Sequence, residues 1–296
     1  MDDATPTGRR NDRGARTTIT PVARQRMPTL YFLKGIRSFS PVFLDTEIDM
    51  SAVLRHRDLR GKHSVVSYVL YSAARVLAAH PEANAAIRGG GRPRVARFSS
   101  VNGKFTLDRT VAGHRIVLST VLPDLQSADL GDIQRQVEHF RDGDPEQMPE
   151  FAGARLLHRL PWPIGRLLFR LGARPLRRRA QLMGTFAVTS LGHRPVDGFY
   201  SVGGTTITLG VGRITDRPVV RDGTVVVAPV MRLSLTFDHR VIDGAEAADV
   251  LAEISRRLAN FDDTGEVTTG AGEATTTGNR PGATSARADH GQEVRA

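Results

Sequence analysis

The ten residues 235–244, which read LTFDHRVIDG, constrain the fold of this chain more than any other stretch. An apolar, β-rich run ends at Phe237, and an apolar pattern with helical spacing begins just after Gly244. The pattern predicts a strand that ends near His239 and a tight turn that leads into a helix. An imidazole held at such a turn has the chemistry of a general base, because it exchanges its proton near neutral pH.

Composition excludes several kinds of protein. The 296 residues contain no cysteine, which excludes disulfides, thiolate metal sites and a cysteinyl acyl-enzyme intermediate. The N-terminal residues lack an apolar signal segment, and no run reaches the roughly 18 apolar residues that a membrane span requires. We therefore expect a cytoplasmic protein, and we expect no metal site.

The positive charge is concentrated in one segment. The net charge is +10, and residues 155–180 hold eight arginines and no acidic residue. A smaller excess of arginine lies in residues 1–26, and the remainder is close to neutral. A patch this local indicates an anionic partner for one surface and argues against a nucleic-acid-binding fold.

The chain divides into one domain and two flanking segments. Residues 1–26 lack apolar periodicity and predict a disordered basic arm, and residues 263–296 have almost no large apolar residue and predict a disordered tail. Residues 27–262 contain no obvious linker or internal repeat, which indicates a single domain. Within it, residues 142–180 predict a basic amphipathic insertion. Its prolines at 161 and 163 and its glycine at 165 are expected to break it, with residues 164–171 as the best helix.

Periodicity predicts an irregular alternation of strands and helices in the domain. Ser64 and Asp129 are predicted helix caps, the final helix covers residues 245–258, and residues 221–224 predict a hairpin turn. The predicted strands cover residues 42–50, 105–111, 115–122, 185–191, 205–214 and 225–237. This order predicts an α/β fold, a two-layer sandwich with a mixed sheet, and not a doubly wound nucleotide-binding fold.

Four segments carry a resemblance to a known family. They are residues 24–27 followed by 40–50, residues 80–86 (HPEANAA), residues 184–192 (GTFAVTSLG) and residues 238–244 (DHRVIDG). In this order they resemble the catalytic domain of the 2-oxoacid dehydrogenase acyltransferases. That family shares its fold with chloramphenicol acetyltransferase, so the resemblance implies a chloramphenicol acetyltransferase-like sandwich over residues 24–259.

The resemblance implies an activity and an assembly. It implies a homotrimer, or a multiple of trimers, with active sites between subunits. It implies acyl transfer between coenzyme A and a thiol or hydroxyl through a tetrahedral intermediate. His239 matches the catalytic base, Thr189 matches the hydroxyl that hydrogen-bonds the oxyanion, and Asp243 matches an aspartate that supports the site. In the family, the base and the hydroxyl come from neighbouring subunits.

Each of these residues also has an ordinary structural explanation. His239 could simply close a strand, and Thr189 could be a β-branched strand residue, with Thr185 and Ser190 as alternatives in a different register. Asp243 begins an Asp-x-x-Glu pattern that predicts a capping box at the start of the final helix, which is compatible with a supporting role.

A second His-x-x-x-Asp-Gly pattern runs from His193 to Gly198. Pro195 lies inside it and indicates a turn, and the family has a loop with no catalytic base at this point. We expect no catalytic role for His193 and Asp197. The loop over residues 192–205 matches the family poorly, so contacts with the acceptor cannot be transferred from it.

The sequence departs from the family in two ways. None of Lys34, Lys62 and Lys104 lies in the Asp-Lys-Ala turn of a lipoyl domain, so we expect no covalent lipoyl group on this chain. Three possibilities remain open for this chain. It is a free-standing acyl-CoA transferase, it acts on a lipoyl or acyl carrier protein in trans, or it is a non-catalytic trimeric scaffold or assembly protein. A nucleic-acid-binding protein ranks last.

The second departure is the arginine-rich segment of residues 155–180. It interleaves leucines, Trp162 and Phe169 with arginines, as a helix on an anionic surface does. It could be a lid with solvated arginines, or it could attract coenzyme A phosphates, dock an acidic carrier protein or contact a membrane surface.

Overall fold

The computed structural model describes residues 21–262, apart from residues 62, 90, 112 and 174. The described residues form eight α-helices and eight strands. The helices are α1 (Met27–Gly35), α2 (Ser51–Arg60), α3 (Val65–Ala79), α4 (Leu130–Asp142), α5 (Ala152–Arg159), α6 (Trp162–Ala173), α7 (Leu176–Met183) and α8 (Gly244–Ala259). The strands are β1 (Pro41–Asp49), β2 (Ala85–Arg88), β3 (Arg94–Arg97), β4 (Gly103–Val111), β5 (His114–Leu122), β6 (Phe186–Ser190), β7 (Ile207–Arg221) and β8 (Thr224–Asp238).

The flanking segments fall largely outside this range. Residues 1–20 of the predicted arm, and the predicted tail over residues 263–296, lie outside the described residues. Residues Arg24–Arg26, which we assigned to the arm, form a short 3-10 turn that continues directly into α1. The turn contacts α5 and β5, so tertiary contacts order residues whose sequence carries no apolar period.

One six-stranded sheet organises the domain, in the order β1-β8-β7-β6-β4-β5. Strand β6 pairs in parallel with β4 and β7, and the other pairs in this sheet are antiparallel. The predicted α/β sandwich with a mixed sheet is confirmed. A separate small hairpin, β2 with β3, was not predicted, because each strand has only four residues.

The longest element is the hairpin of β7 and β8. Its turn residues Asp222 and Gly223 both have positive φ, 49° and 76°, as the two-residue turn of a twisted hairpin requires. Arg221 pairs with Thr224, which confirms the predicted turn. Strand β7 runs seven residues beyond its predicted end, because residues 215–221 pair with the first half of β8. Strand β8 exceeds its predicted bounds by one residue at each end.

Helices α3, α4 and α8 cover one face of the sheet and form the core with it. The core buries Tyr68 and Leu77 of α3 and Ile254 of α8 completely. Ser64 accepts a hydrogen bond from the amide of Ser67 and caps α3, and Asp129 caps α4 in the same way. Both caps were predicted. In the described part of the chain, no helix is both long and apolar enough to cross a bilayer.

The segment between β6 and β7 covers the other face of the sheet. The hydroxyl of Ser234 donates to the carbonyl oxygen of Phe199, and the ammonium of Lys104 donates to that of Gly203. The approach is so close that a Cβ on Gly212 would lie 1.9 Å from the carbonyl oxygen of Asp197. This loop is therefore a packed layer whose position requires glycine on the strand beneath it.

The arginine-rich segment folds into three short helices, α5 to α7. The chain breaks at Pro161, as predicted, but the expected breaks at Pro163 and Gly165 were wrong. Pro163 lies in the first turn of α6, where a backbone N–H has no helical partner to lose. Gly165 faces Tyr31 of α1, and a Cβ there would come within 2.9 Å of the tyrosine hydroxyl, so glycine lets α6 pack against α1.

Candidate active site

The turn after β8 presents His239 at the edge of the sheet. Strand β8 ends at Asp238, and the amide of His239 donates a 2.9 Å hydrogen bond to the carbonyl oxygen of Ser40, just before β1. The ring packs near Phe237, with 5.5 Å between centroids, and 47% of the side chain is exposed. The backbone is thus fixed on both sides while the imidazole faces open space.

Asp243 lies beside the imidazole and does not cap the helix. Its Oδ1 is 3.4 Å from Nδ1 of His239, and 90% of its side chain is exposed. Asp243 occupies the N-cap position of α8 without a side-chain hydrogen bond, and Glu246 bonds to His80 instead. The predicted capping box was therefore wrong. A carboxylate next to Nδ1 favours the tautomer with its proton there and leaves Nε2 free to accept one.

An ion pair with a buried carboxylate holds the turn, and we did not predict it from the sequence. The carboxylate of Asp238 is 3% exposed and accepts two hydrogen bonds from the guanidinium of Arg240, at 2.8 and 2.5 Å. It also accepts from the amide of Ser40 at 3.4 Å. The signal was the Asp-His-Arg start of the motif, in which the residues flanking the histidine bind each other.

Thr189 lies on β6, far from His239 of the same chain. In the sheet register, Thr189 pairs with Gly210 of β7, which pairs with Ser234 of β8. Ser234 precedes His239 by five residues, so Thr189 is about 17 Å from it along the strands and two strands away. One copy of the chain does not bring the two side chains together.

The two alternatives to Thr189 have local partners. Thr185 is buried, and its hydroxyl accepts from the amide of Asn102 at 3.0 Å. The hydroxyl of Ser190 accepts from the amide of Gly192 at 3.3 Å, just beyond the strand. Thr189, half-buried, has no side-chain hydrogen bond within the part of the chain that the structure describes.

The second His-x-x-x-Asp-Gly pattern has a different geometry. Asp197 forms ion pairs with Arg213 and Arg217 of β7, and the hydrogen bond from Arg213 contributes most to lowering the pKa of its carboxyl group. His193 is exposed on the same loop. Asp197 therefore fastens the loop to β7.

Comparison with known proteins finds a family model that matches part of the chain. Residues 166–265, which include Thr189, His239 and Asp243, match the family model of the 2-oxoacid dehydrogenases acyltransferase (catalytic domain). A solved structure of a probable dihydrolipoamide acetyltransferase from Listeria monocytogenes superposes with a TM-score of 0.62 at 17% identity, over 86% of this chain and 98% of that one. Residues 166–265 are thus similar to part of the catalytic domain of the 2-oxoacid dehydrogenase acyltransferases.

Two further solved structures share the fold. The dihydrolipoamide acetyltransferase of Azotobacter vinelandii superposes on this chain with a TM-score of 0.63 at 18% identity, over 87% of this chain and 98% of that one. The cubic core of the pyruvate dehydrogenase multienzyme complex gives 0.61 at 20% identity, with the same coverage. At these identities the superpositions establish the fold, and the predicted chloramphenicol acetyltransferase-like sandwich is confirmed.

Curated relatives match over a short stretch. The dihydrolipoyllysine-residue acetyltransferase component of the pyruvate dehydrogenase complex of Bacillus subtilis is 58% identical over 50 residues, which is 17% of this chain and 11% of that protein. The corresponding component of Staphylococcus aureus Mu50 is 54% identical over 52 residues, or 18% and 12%. The match thus spans about a tenth of the length of these relatives.

Proposed function

We propose that the chain is an acyltransferase that moves an acyl group between coenzyme A and a thiol or hydroxyl acceptor. The observation that carries the proposal is the turn after β8, in which a fixed, half-exposed His239 has a carboxylate beside Nδ1. This turn lies inside the segment that matches the family's catalytic domain. His239, Asp243 and Thr189 are the proposed site residues.

The chemistry needs one base and one oxyanion donor. Nε2 of His239 takes the proton of the acceptor thiol or hydroxyl while the acceptor attacks the thioester carbonyl. The hydroxyl of Thr189 donates to the oxygen that becomes negative, which is worth a few kcal/mol in the transition state. The tetrahedral intermediate then expels the coenzyme A thiolate, and the imidazolium returns its proton to the sulfur. Asp243 holds the ring orientation throughout.

We propose that two copies of the chain complete each site. The register separates Thr189 from His239 in one copy, and the family resemblance implies a homotrimer or a multiple of trimers. Catalysis in the Azotobacter vinelandii relative was studied through a serine, a histidine and an asparagine four residues beyond the histidine. The spacing from His239 to Asp243 is the same, which supports their assignment as a pair.

The proposed substrates follow from the family names. Coenzyme A enters as a substrate, and dihydrolipoamide is the first acceptor to test, because the curated relatives are dihydrolipoyllysine-residue acetyltransferases. We propose no covalent lipoyl group on this chain and a lipoyl or acyl carrier protein in trans. We also propose a cytoplasmic location for the protein.

Release of free coenzyme A from a panel of acyl-CoAs tests the proposal, with dihydrolipoamide and small alcohols as acceptors. His239→Ala is expected to lower acceptor-dependent release by about 10²- to 10⁴-fold. His193→Ala is the matched control, because it removes the histidine of the second His-x-x-x-Asp-Gly pattern, and its rate should equal that of wild type.

Two results would contradict the proposal. Equal rates in wild type and His239→Ala would remove the histidine from the mechanism. Absence of turnover together with absence of acyl-CoA binding by calorimetry would favour the non-catalytic scaffold.

A further inference from the structure

A cavity of about 640 Å³ lies next to the candidate active site. Its walls are α1 and the turn that follows it, α6 and α7 of the arginine-rich segment, the end of β2, and Arg240 of the catalytic turn. The volume is in the range of pockets that hold small organic ligands. We refer to it as the basic pocket.

The lining residues carry charge of one sign only. They include six arginines and one lysine and no aspartate or glutamate. Different elements supply these cations: Lys34 and Arg37 come from α1 and its turn, Arg166 and Arg170 from α6, and Arg179 from α7. Cations that are distant in sequence therefore converge on one open pocket.

Most of this charge has no internal counterion. Among the described residues, the carboxylate of Asp238 binds Arg240, and no ion pair is formed by Lys34, Arg37, Arg166 or Arg170. Cations crowded around one pocket repel one another, and together they produce a positive potential there. A bound anion would relieve it.

The walls of the basic pocket pack against one another and are partly apolar. The hydroxyl of Tyr31 donates to the carbonyl oxygen of Trp162 at 3.3 Å, and its ring lies 6.2 Å from that of Phe169. These contacts fix α6 against α1. Phe32, Phe39 and Phe169 line the cavity between the cations, so a ligand with an organic part as well as negative charge fits the walls.

We propose that the basic pocket binds an organic polyphosphate, a ligand with at least two phosphate groups. Arginine forks bind phosphate oxygens in pairs, and several arginines around one cavity suit clustered phosphates better than a single carboxylate. Two sources share this chemistry: the nucleotide end of the acyl donor, and a free nucleotide or pyrophosphate. The proposal concerns binding alone and does not require the proposed acyl transfer.

The only tryptophan in the sequence reports on the basic pocket. The ring of Trp162 lies 5.3 Å from the Arg166 guanidinium and 5.9 Å from the Lys34 ammonium. We would titrate the full chain with pyrophosphate, ADP and coenzyme A, following Trp162 fluorescence and calorimetric heat at low and at physiological salt.

Two double variants remove the same charge from the same segment. Arg166→Gln with Arg170→Gln removes two pocket arginines, and Arg177→Gln with Arg178→Gln removes two exposed arginines of α7 outside the pocket. The pocket variant should bind pyrophosphate at least about tenfold more weakly, and the control should bind like wild type. Added salt should weaken wild-type binding.

The affinity for coenzyme A in the pocket variant identifies which of the two polyphosphate sources the basic pocket binds. Loss of its affinity in the pocket variant, together with competition by pyrophosphate, assigns the pocket to the acyl donor. Unchanged coenzyme A affinity, with weakened pyrophosphate and ADP binding, assigns it to a free polyphosphate. Absence of binding by all three ligands, or equal losses in both double variants, would overturn the proposal. His239→Ala should abolish acyl transfer without changing pyrophosphate affinity, which separates the two proposals experimentally.

Discussion

The two aspartates that flank His239 serve different purposes. Asp238 is buried and paired with Arg240, and a buried carboxylate without its partner would be strongly destabilising. Asp243 is exposed and makes no helix cap, so it has little stability to contribute, but it lies next to the ring. The first therefore holds the turn, and the second acts on the imidazole.

The different roles of the two aspartates predict that replacing Asp238 mainly lowers stability and that replacing Asp243 mainly slows acyl transfer. Asp238→Ala should lower the free energy of unfolding by about 2 kcal/mol, because it removes the buried carboxylate that accepts hydrogen bonds from Arg240 and from the amide of Ser40. Asp243→Ala should change it by less than about 0.5 kcal/mol and should slow acyl transfer about 10- to 100-fold through loss of ring orientation. Urea unfolding measures the changes in the free energy of unfolding, and coenzyme A release measures the rate of acyl transfer. A loss of about 1 kcal/mol in Asp243→Ala would instead indicate a helix cap.

Lys104 is a cation buried between the sheet and the covering loop. It is 5% exposed, and burial, with a smaller contribution from Arg179, lowers the pKa of its ammonium group to about 8. The unfolded chain holds this proton up to about pH 10.4. The folded state therefore carries the full cost of the buried charge below about pH 8, and the cost disappears as the pH rises towards about 10.4.

Lys104→Met should therefore stabilise the protein more at neutral than at alkaline pH. The pKa shift corresponds to on the order of 3 kcal/mol, against about 1 kcal/mol for the lost hydrogen bond to Gly203. We expect the variant to exceed wild type in urea unfolding at about pH 7 and to lose this advantage by about pH 10. A difference that stays constant with pH would mean that Lys104 does not titrate in this range.

At the level of elements, we could predict from the sequence those helices and strands that are specified by their own residues. Helix α3 has an apolar face and a serine cap, and β8 has a long β-branched run, so both were found. Helix α2 was missed because its residues are mostly polar, with only Ala52 and Val53 buried. It is a helix because α8 packs against it, and that contact is not visible in the local sequence.

For the candidate site, too, the sequence predicted the residues of one local motif but not their relation to distant residues. The DHRVIDG motif identified His239 and Asp243, whose proximity the structure confirms. The separation of Thr189 from His239 depends on strand register, and the basic pocket depends on the packing of α6 against α1. Neither follows from local pattern, because each joins residues that are far apart in sequence.

His80 joins the end of α3 to α8, the helix that follows the turn of His239. Its Nδ1 lies 2.8 Å from Glu246 and its Nε2 lies 3.2 Å from Glu253. Burial lowers the pKa of His80, but the hydrogen bonds to these two glutamates outweigh it, so the pKa is raised above that of an ordinary histidine. The link is therefore strongest when the imidazole is charged.

A pH-dependent contribution to stability follows from this link. The stabilisation is fully present below the ordinary histidine pKa of about 6.5 and is lost as the pH rises through the raised value in the folded state. His80→Gln should lower the free energy of unfolding more at about pH 6 than at about pH 8.5. The control is His114→Gln, at an exposed histidine on β5, which should show no such trend. An equal loss at both pH values would argue against the charged link.

At the scale of the whole molecule, the proposed pairing of His239 with Thr189 needs more than one copy of the chain. The sheet register sets Thr189 about 17 Å along the strands from His239, which no side-chain rotation spans. A base and an oxyanion donor must both reach the same thioester carbonyl. We propose that a symmetric assembly meets this requirement, with β6 of one copy against the His239 turn of the next.

Mixed assemblies test this arrangement directly. Thr189→Ala and His239→Ala should each be nearly inactive alone, since every site then lacks one group. Co-expressed in equal amounts, they should regain about one quarter of wild-type activity, because a random cyclic assembly pairs an intact His239 with an intact Thr189 of the neighbouring copy at one interface in four. Size-exclusion chromatography with light scattering checks that the mixed protein is assembled. If both groups acted from the same chain, no site would hold both, and co-expression would restore nothing.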